Sequence, residues 1–321
     1  MVLIDVVSRS PNLIGLRTDL SIDSKAKLLL DEIVRCNGNK DANRIRLTYK
    51  KDDGKQQSQQ KQEKKQKQQQ IAINLNKSFI DNGFNENDKQ ITLYIKDLGP
   101  QISWRTVFII EYLGPLIIHP IFYYLSGGPE TKTTTQYISF ILVMLHFFKR
   151  EYETIFIHKF SNDTMPVFNI FKNSFHYWVL SGFNLGIFIY FGDTNFSNFF
   201  FNVNDFPTPI IIIAVLVWIF AEYSNYKTHV ILANLRKNDT KKYVIPFGYG
   251  FDLVACPNYF FESLAWFSYA MMVGNWSAWF FFFVASGQMF LWAVKKNQRY
   301  IKTFGDDYKK LNRKIYVPYV I

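Results

Sequence analysis

The chain has 321 residues, a formal net charge of +11 and an 18% aromatic content that includes 32 Phe and 19 Tyr. Its only cysteines are Cys36 and Cys256, which excludes an extracellular disulfide framework and fits reduced thiols facing the cytosol. Charge and apolar residues are segregated: the chain is polar to about Trp104, and from Thr106 onward apolar runs long enough to cross a bilayer recur. That pattern excludes a wholly soluble protein and predicts an integral membrane protein with a soluble N-terminal part.

The start, MVLIDVVSRSPNLIGL, lacks a basic n-region, so no cleaved secretory signal is expected. Val2–Val7 alternates as a strand, Asp23–Cys36 reads as a short amphipathic helix, and Arg44–Tyr49 and Gln90–Lys96 read as further strands. These predict a small α+β domain over residues 1–97. Within it, Lys50–Gln70 has almost no apolar residue and predicts a disordered, solvated insertion over about residues 50–72. Residues 98–321 form the membrane region, with expected spans at Thr106–Leu125, Gln136–Ile157, Phe175–Phe191, Pro209–Leu232, Phe251–Val273 and Trp276–Val294. The fold class is an all-α polytopic bundle of about six spans behind a small α+β domain. Basic segments at the N-terminal region, after the fourth span and in the tail place both termini in the cytosol.

Ionisable groups at membrane depth cost on the order of 2.5–3.5 kcal/mol on insertion scales, so each needs a partner or a role. On the fourth span Glu222, Asn225, His229 and Arg236 share one helical face. On the second, Lys149, Arg150, Glu151 and Glu153 precede His158 and Lys159; on the fifth, Asn258 and Glu262 are i,i+4 neighbours beside Tyr259, and Pro257 suits the first helical position. Each group alone could be a snorkelling end or helix glue, but three polar stripes in one bundle predict a shared polar cavity. His119, His146 and His176 read as interfacial or core histidines.

The five histidines form no iron-type box, and no GxGxxG, GxxxxGK[ST] or HExxH pattern is present, so metal oxidation, soluble nucleotide folds and zinc proteolysis lack support. No metal and no nucleic-acid partner is expected. A basic, aromatic, cytosol-facing cavity suits a phosphate-bearing cofactor and a long acyl or sterol substrate. With a cation nearby to lower its pKa from about 10, Tyr259 is a candidate proton donor.

Five stretches carry a resemblance: DLGPQISWRTVFIIEYLGPL (Asp97–Leu116), KREYETIFIHKFSNDTMPVFNIFKN (Lys149–Asn173), HVILANLRK (His229–Lys237), CPNYFFE (Cys256–Glu262) and GQMFLWAVKKNQRYIKTF (Gly287–Phe304). The chain resembles the very-long-chain trans-2-enoyl-CoA reductases of the steroid 5α-reductase superfamily over nearly all of its membrane region. The resemblance implies a ubiquitin-like N-terminal domain and NADPH-dependent reduction of trans-2-enoyl-CoA to saturated acyl-CoA. It further implies the endoplasmic reticulum membrane, the lipid bilayer and other fatty-acid elongase subunits as surroundings. It places the proton donor on Tyr259 and the essential basic residue of the HKFS motif, a cation that lowers the phenol pKa or stabilises the enolate, on Lys159. Asn225, Arg236, Tyr243, Asn258, Glu262 and Tyr300 are implied as cofactor contacts, and Glu111 and His229 as substrate-facing. Asn297 departs from the pattern, standing where many relatives have His, whereas His229 follows the enoyl rather than the steroid branch. The alternatives are a 3-oxo-Δ4-steroid 5α-reductase, an isoprenylcysteine-type methyltransferase and a non-catalytic scaffold with a ubiquitin-like module.

Overall fold

A computed structural model of the chain describes residues 1–50, 70–160, 163–193, 198–235 and 243–321. It divides into two units, residues 1–102 with 164–167, and residues 103–163 with 168–321. The expected insertion lies almost wholly outside the described residues.

The first unit is built on a five-stranded sheet in the order β2-β1-β5-β3-β4. Its strands are β1 (Val2–Ser8), β2 (Leu16–Leu20), β3 (Ile45–Lys50), β4 (Gln70–Ala72) and β5 (Gln90–Asp97). β1 pairs with β5 in parallel, and the other ladders are antiparallel. Alternation decides the faces: Val2, Ile4 and Val6 of β1 are buried with Leu93 and Ile95 of β5, against Leu29, Leu30 and Ile33 of helix α1 (Ala26–Cys36). Arg44 closes the sheet end through a bidentate pair with Asp97, Nε to Oδ1 at 3.2 Å and Nη2 to Oδ2 at 2.8 Å. That hydrogen-bonded guanidinium, with the Gly99 amide, holds the Asp97 carboxyl below the usual carboxylate range. The short strands Gln101–Ser103 and Thr164–Pro166 pair as a ribbon. The sequence reading anticipated α1, β1, β3 and β5; it missed β2, whose five residues alternate only between half-buried and exposed positions, and the three-residue β4.

The second unit is helical: α2 (Trp104–Leu125), α3 (Thr134–Tyr152), α4 (Asn169–Ser174), α5 (Leu185–Tyr190), α6 (Thr208–Asn234), α7 (Pro257–Val273), α8 (Trp276–Phe304) and α9 (Asp306–Lys309). Local chemistry sets the ends. The Ser103 hydroxyl caps α2 by accepting from the Thr106 amide at 3.0 Å, and Thr133 with Gln136 forms a reciprocal capping box on α3. Pro257 opens α7 and Gly274, at φ +69°, ends it. Within α2, Gly114 faces Trp178, and a Cβ there would sit 2.5 Å from the indole ring.

Among the described residues, three helices, α2, α6 and α8, are long and apolar enough to cross a membrane, with mean hydropathy of 1.5, 1.6 and 1.5. The other three expected spans are shorter or broken. α3 has 19 residues and ends in Lys149 and Arg150. Phe175–Tyr190 is a ten-residue π segment followed by the six-residue α5. α7 begins only at Pro257 and has 17 residues. α6 is inverted relative to a water-soluble helix: Ile213, Leu216 and Phe220 are 62%, 60% and 54% exposed, while Glu222, Asn225 and His229 are buried. Apolar side chains outward and charges inward is the arrangement a bilayer demands.

Candidate active site

The inward stripes of α3, α6 and α7 meet in one buried cluster. His146, Lys149 and Arg150 lie on one face of α3 because spacings of three and four residues align on a helix. The His146 ring faces two carboxylates, Nδ1 at 2.6 Å from Glu222 Oε1 on α6 and Nε2 at 3.3 Å from Glu262 Oε1 on α7. Lys149 Nζ donates to Asn225 Oδ1 at 2.6 Å and lies 2.6 Å from Glu222 Oε2 as an ion pair. The Asn225 amide in turn donates to the backbone carbonyl of Asn258 at 2.9 Å, joining α6 to the first turn of α7. Tyr259, the next residue, is half-buried, its ring 6.1 Å from that of Trp292 on α8.

A second knot adjoins the first. After Tyr152 the helix continues as a π turn over Glu153–Ile157, closed by the His158 amide donating to the Glu153 carbonyl at 2.7 Å. Single π turns are rare and concentrate at functional sites. Here the turn buries Glu153 fully, where it accepts from Arg150 Nη1 at 2.6 Å and faces His229 Nδ1 at 3.0 Å. Arg150 also donates through Nη2 to the Tyr112 hydroxyl at 2.8 Å. The His158 and His229 rings meet edge to face at 4.9 Å, and burial, then the neighbouring Arg150 and His229, lowers the His158 imidazole to about 3. Glu153, His158 and His229 have ligand atoms within 4.8 Å of one another. The Arg150 guanidinium stands among them, 2.6 Å from Glu153 Oε2 and 3.2 Å from His229 Nδ1. That fixed charge already neutralises the carboxylate and opposes a divalent cation.

A third feature lies toward the end of α8. Tyr243, Tyr300 and Tyr308 stack in series, with centroids 5.2 Å and 5.1 Å apart, and Phe304 lies against Tyr243 at 5.8 Å. Arg299 covers the Tyr243 ring at 4.3 Å. Burial pushes the Tyr308 phenol up to about 12, so it stays a donor, and it donates to Asn297 Oδ1 at 2.7 Å.

Residues 163–321 match the family described as 3-oxo-5-alpha-steroid 4-dehydrogenase. A very-long-chain enoyl-CoA reductase of Dictyostelium discoideum is 41% identical over 237 residues, covering 72% of this chain and 74% of that protein. The chain belongs to the enoyl-CoA reductase family. A Schizosaccharomyces pombe protein whose name gives it as an enoyl reductase is 50% identical over 235 residues, covering 72% of this chain and 76% of that protein. The human trans-2,3-enoyl-CoA reductase-like protein is 30% identical over 229 residues, covering 67% and 60%.

Of the residues expected at the site, Asn225, Asn258, Glu262 and His229 enter the buried cluster, and Tyr259 stands beside it on α7. Tyr243 and Tyr300 meet in the aromatic stack. Glu111 is buried on α2, and its Oε1 has no hydrogen-bond partner among the described residues. Lys159 is exposed on the extended segment after the π turn, and Arg236 lies outside the described residues. Two readings are corrected. His146 is no bystander, since it bridges two carboxylates; its place three and four residues before Lys149 and Arg150 is the signal that marks it. Glu151 does not join the cluster: neither carboxylate oxygen has a hydrogen-bond partner among the described residues. His119 does behave as a core histidine, held between the Tyr190 hydroxyl at 2.6 Å and the Ser181 carbonyl at 2.7 Å. Tyr112 escaped the sequence reading because nothing in an apolar helix singles out one phenol as a partner for Arg150.

Proposed function

We propose that the protein reduces trans-2-enoyl-CoA thioesters to saturated acyl-CoA with NADPH, the last step of very-long-chain fatty-acid elongation at the endoplasmic reticulum membrane. The observation that carries this reading is the convergence of charged side chains from α3, α6 and α7 on the turn that bears Tyr259, in a chain whose relatives bear enoyl-CoA reductase names.

The residues present fit a phosphate-bearing dinucleotide. The Arg313 guanidinium donates through Nη1 to the Pro246 carbonyl at 2.8 Å. Its Nη2 lies 3.8 Å from Asp252 Oδ1, and its buried Nε and Nη2 have no hydrogen-bond partner among the described residues; a guanidinium fork of that kind matches phosphate oxygens. Asn225, Arg236, Tyr243, Asn258, Glu262 and Tyr300 would hold the cofactor, and Glu111 and His229 would face the thioester. When bound, the nicotinamide supplies a hydride for the β-carbon. Tyr259 gives its phenolic proton to the α-carbon, and Lys159 stabilises the negative charge gathering on the thioester oxygen and then on the phenolate. The buried cluster holds α7, and with it Tyr259, in one arrangement.

The same reading takes the N-terminal unit as ubiquitin-like, the chain as crossing the membrane about six times with both termini cytosolic, and the other elongase subunits as partners. The description of the matching family keeps a Δ4-3-ketosteroid as a second substrate class. Purified protein assayed with NADPH and either a long-chain trans-2-enoyl-CoA or a Δ4-3-ketosteroid separates them: enoyl-CoA turnover is expected, and turnover of the steroid alone would reverse the assignment.

A further inference from the structure

We propose that His146 is a positioning residue for the reduction, tying Glu222 of α6 to Glu262 of α7 so that the first turn of α7 presents Tyr259 in one orientation. The inference rests on the reductase reading of this site.

The geometry fixes the ring's protonation. Both nitrogens face carboxylate oxygens, at 2.6 Å and 3.3 Å, and an ionised carboxylate can only accept. Two ionised carboxylates are matched by an imidazolium, hydrogen-bonded through Nδ1 to Glu222 and ion-paired through Nε2 with Glu262. Charge balance agrees: His146, Lys149 and Arg150 offset Glu153, Glu222 and Glu262, each carboxylate having a cation within 2.6 Å to 3.3 Å. A neutral ring would leave this enclosed group with one uncompensated negative charge, which a low-dielectric interior penalises. The ring is also clamped sterically, edge to face against Phe147 at 4.9 Å and Trp266 at 4.7 Å, so it holds one direction.

The consequence falls on α7. Glu262 is one turn beyond Asn258, whose carbonyl is bound by Asn225, so the helix is pinned at two points, and its rotation about its own axis is set. Side-chain tips ride about 5–6 Å from a helix axis, so a rotation of roughly 10° would carry the Tyr259 phenol about 1 Å. A misplacement of that size costs on the order of 100-fold in rate. His146 itself need touch neither substrate nor cofactor.

The test compares wild type, His146→Gln, Tyr259→Phe and their combination in the purified full-length protein, with NADPH and a long-chain trans-2-enoyl-CoA. His146→Gln, which keeps one donor, is expected to lower kcat per folded enzyme by roughly 100-fold while the KM for enoyl-CoA stays within about threefold. In the Tyr259→Phe background the same change is expected to cost almost nothing, because it acts through that phenol. A kcat within twofold of wild type, or losses that multiply in the double variant, would overturn the proposal. Should His146→Gln fail to fold, wild-type protein with 15N-labelled histidine decides: a doubly protonated ring signal at pH 7.5 is expected, and neutral signals from all five histidines would sink it. Wild-type protein that reduces no enoyl-CoA would instead overturn the function proposed above, and this inference with it.

Discussion

Replacing Arg150 with methionine, uncharged and of similar length, tests the buried charge balance most severely. In the native protein its guanidinium satisfies Glu153 at 2.6 Å and Tyr112 at 2.8 Å. Without it, among the described residues the fully buried Glu153 carboxylate retains only His229 at 3.0 Å and Lys149 at 3.8 Å. Removing one member of a buried ion pair costs about 3–5 kcal/mol, because the remaining charge is left uncompensated. Folded units of roughly 150–250 residues lose about 2–4 °C in Tm per kcal/mol, so the single variant should melt roughly 6–20 °C below wild type. Adding Glu153→Gln removes the stranded charge and should bring Tm back to within about 6 °C of wild type. Tryptophan fluorescence during heating of detergent-purified protein reads both. A single variant within about 2 °C of wild type, or a double variant less stable than the single, would show that Arg150 and Glu153 are not an energetically coupled pair.

Tyr259→Phe should lower enoyl-CoA reduction by roughly 100- to 10,000-fold without changing Tm, the range expected for losing a general acid; unchanged turnover would remove the phenol from the chemistry. Lys159→Ala should likewise abolish measurable reduction in a protein that still elutes as wild type on size exclusion, and retained activity would take the HKFS lysine out of the mechanism. Gly114→Val would drive a side chain into the Trp178 ring, whose Nε1 donates to the Ile110 carbonyl at 2.8 Å. Overpacking of that kind costs about 1–3 kcal/mol, and a variant that melts with wild type would contradict the close approach seen there. In the N-terminal unit the Asp97 carboxyl is depressed by Arg44, so its contribution is complete above the unfolded carboxyl value of about 3.9 and is lost as pH falls through the lower folded value. Protection of β3 and β5 amides of the full chain, taken relative to the intrinsic exchange rate at each pH, should therefore fall below about pH 4, and Asp97→Asn should flatten that dependence; an unaltered profile would discount the pair.

The parts of this molecule that could be read from its sequence are those whose physical cause is local. β1 and β5 showed as alternation, α7 was announced by Pro257, and the stripe of Glu222, Asn225 and His229 stood out because charge within an apolar run demands a partner. What could not be read is which partners meet. Glu222 and His146 are 76 residues apart, and although the helical spacing of His146 to Lys149 and Arg150 sets it apart from His119, which packs against Tyr190 in the same bundle, that spacing says nothing of which carboxylates it meets. The expected second span failed at its end for a similar reason: Gln136–Ile157 reads as one helix, but the helix changes pitch at Glu153, the residue that pairs with Arg150 and with the distant His229. Phe175–Phe191 was also read as one span, yet it contains a π segment whose Gly182 lies against Ile118 of α2 and whose Trp178 donates to the Ile110 carbonyl of α2, contacts with a neighbour that its own residues do not announce.

The widened turn at Glu153–Ile157 makes this stretch respond differently to losing and to gaining a residue. A π turn closes its hydrogen bond over one residue more than an α-turn does, so removing a single amino acid between Glu153 and His158 would let an ordinary turn close on the same Glu153 carbonyl and leave His158 near the His229 ring. Adding one has no such outlet: a further regular helical step swings whatever follows by about 100°, turning His158 and Lys159 away although neither side chain had been altered.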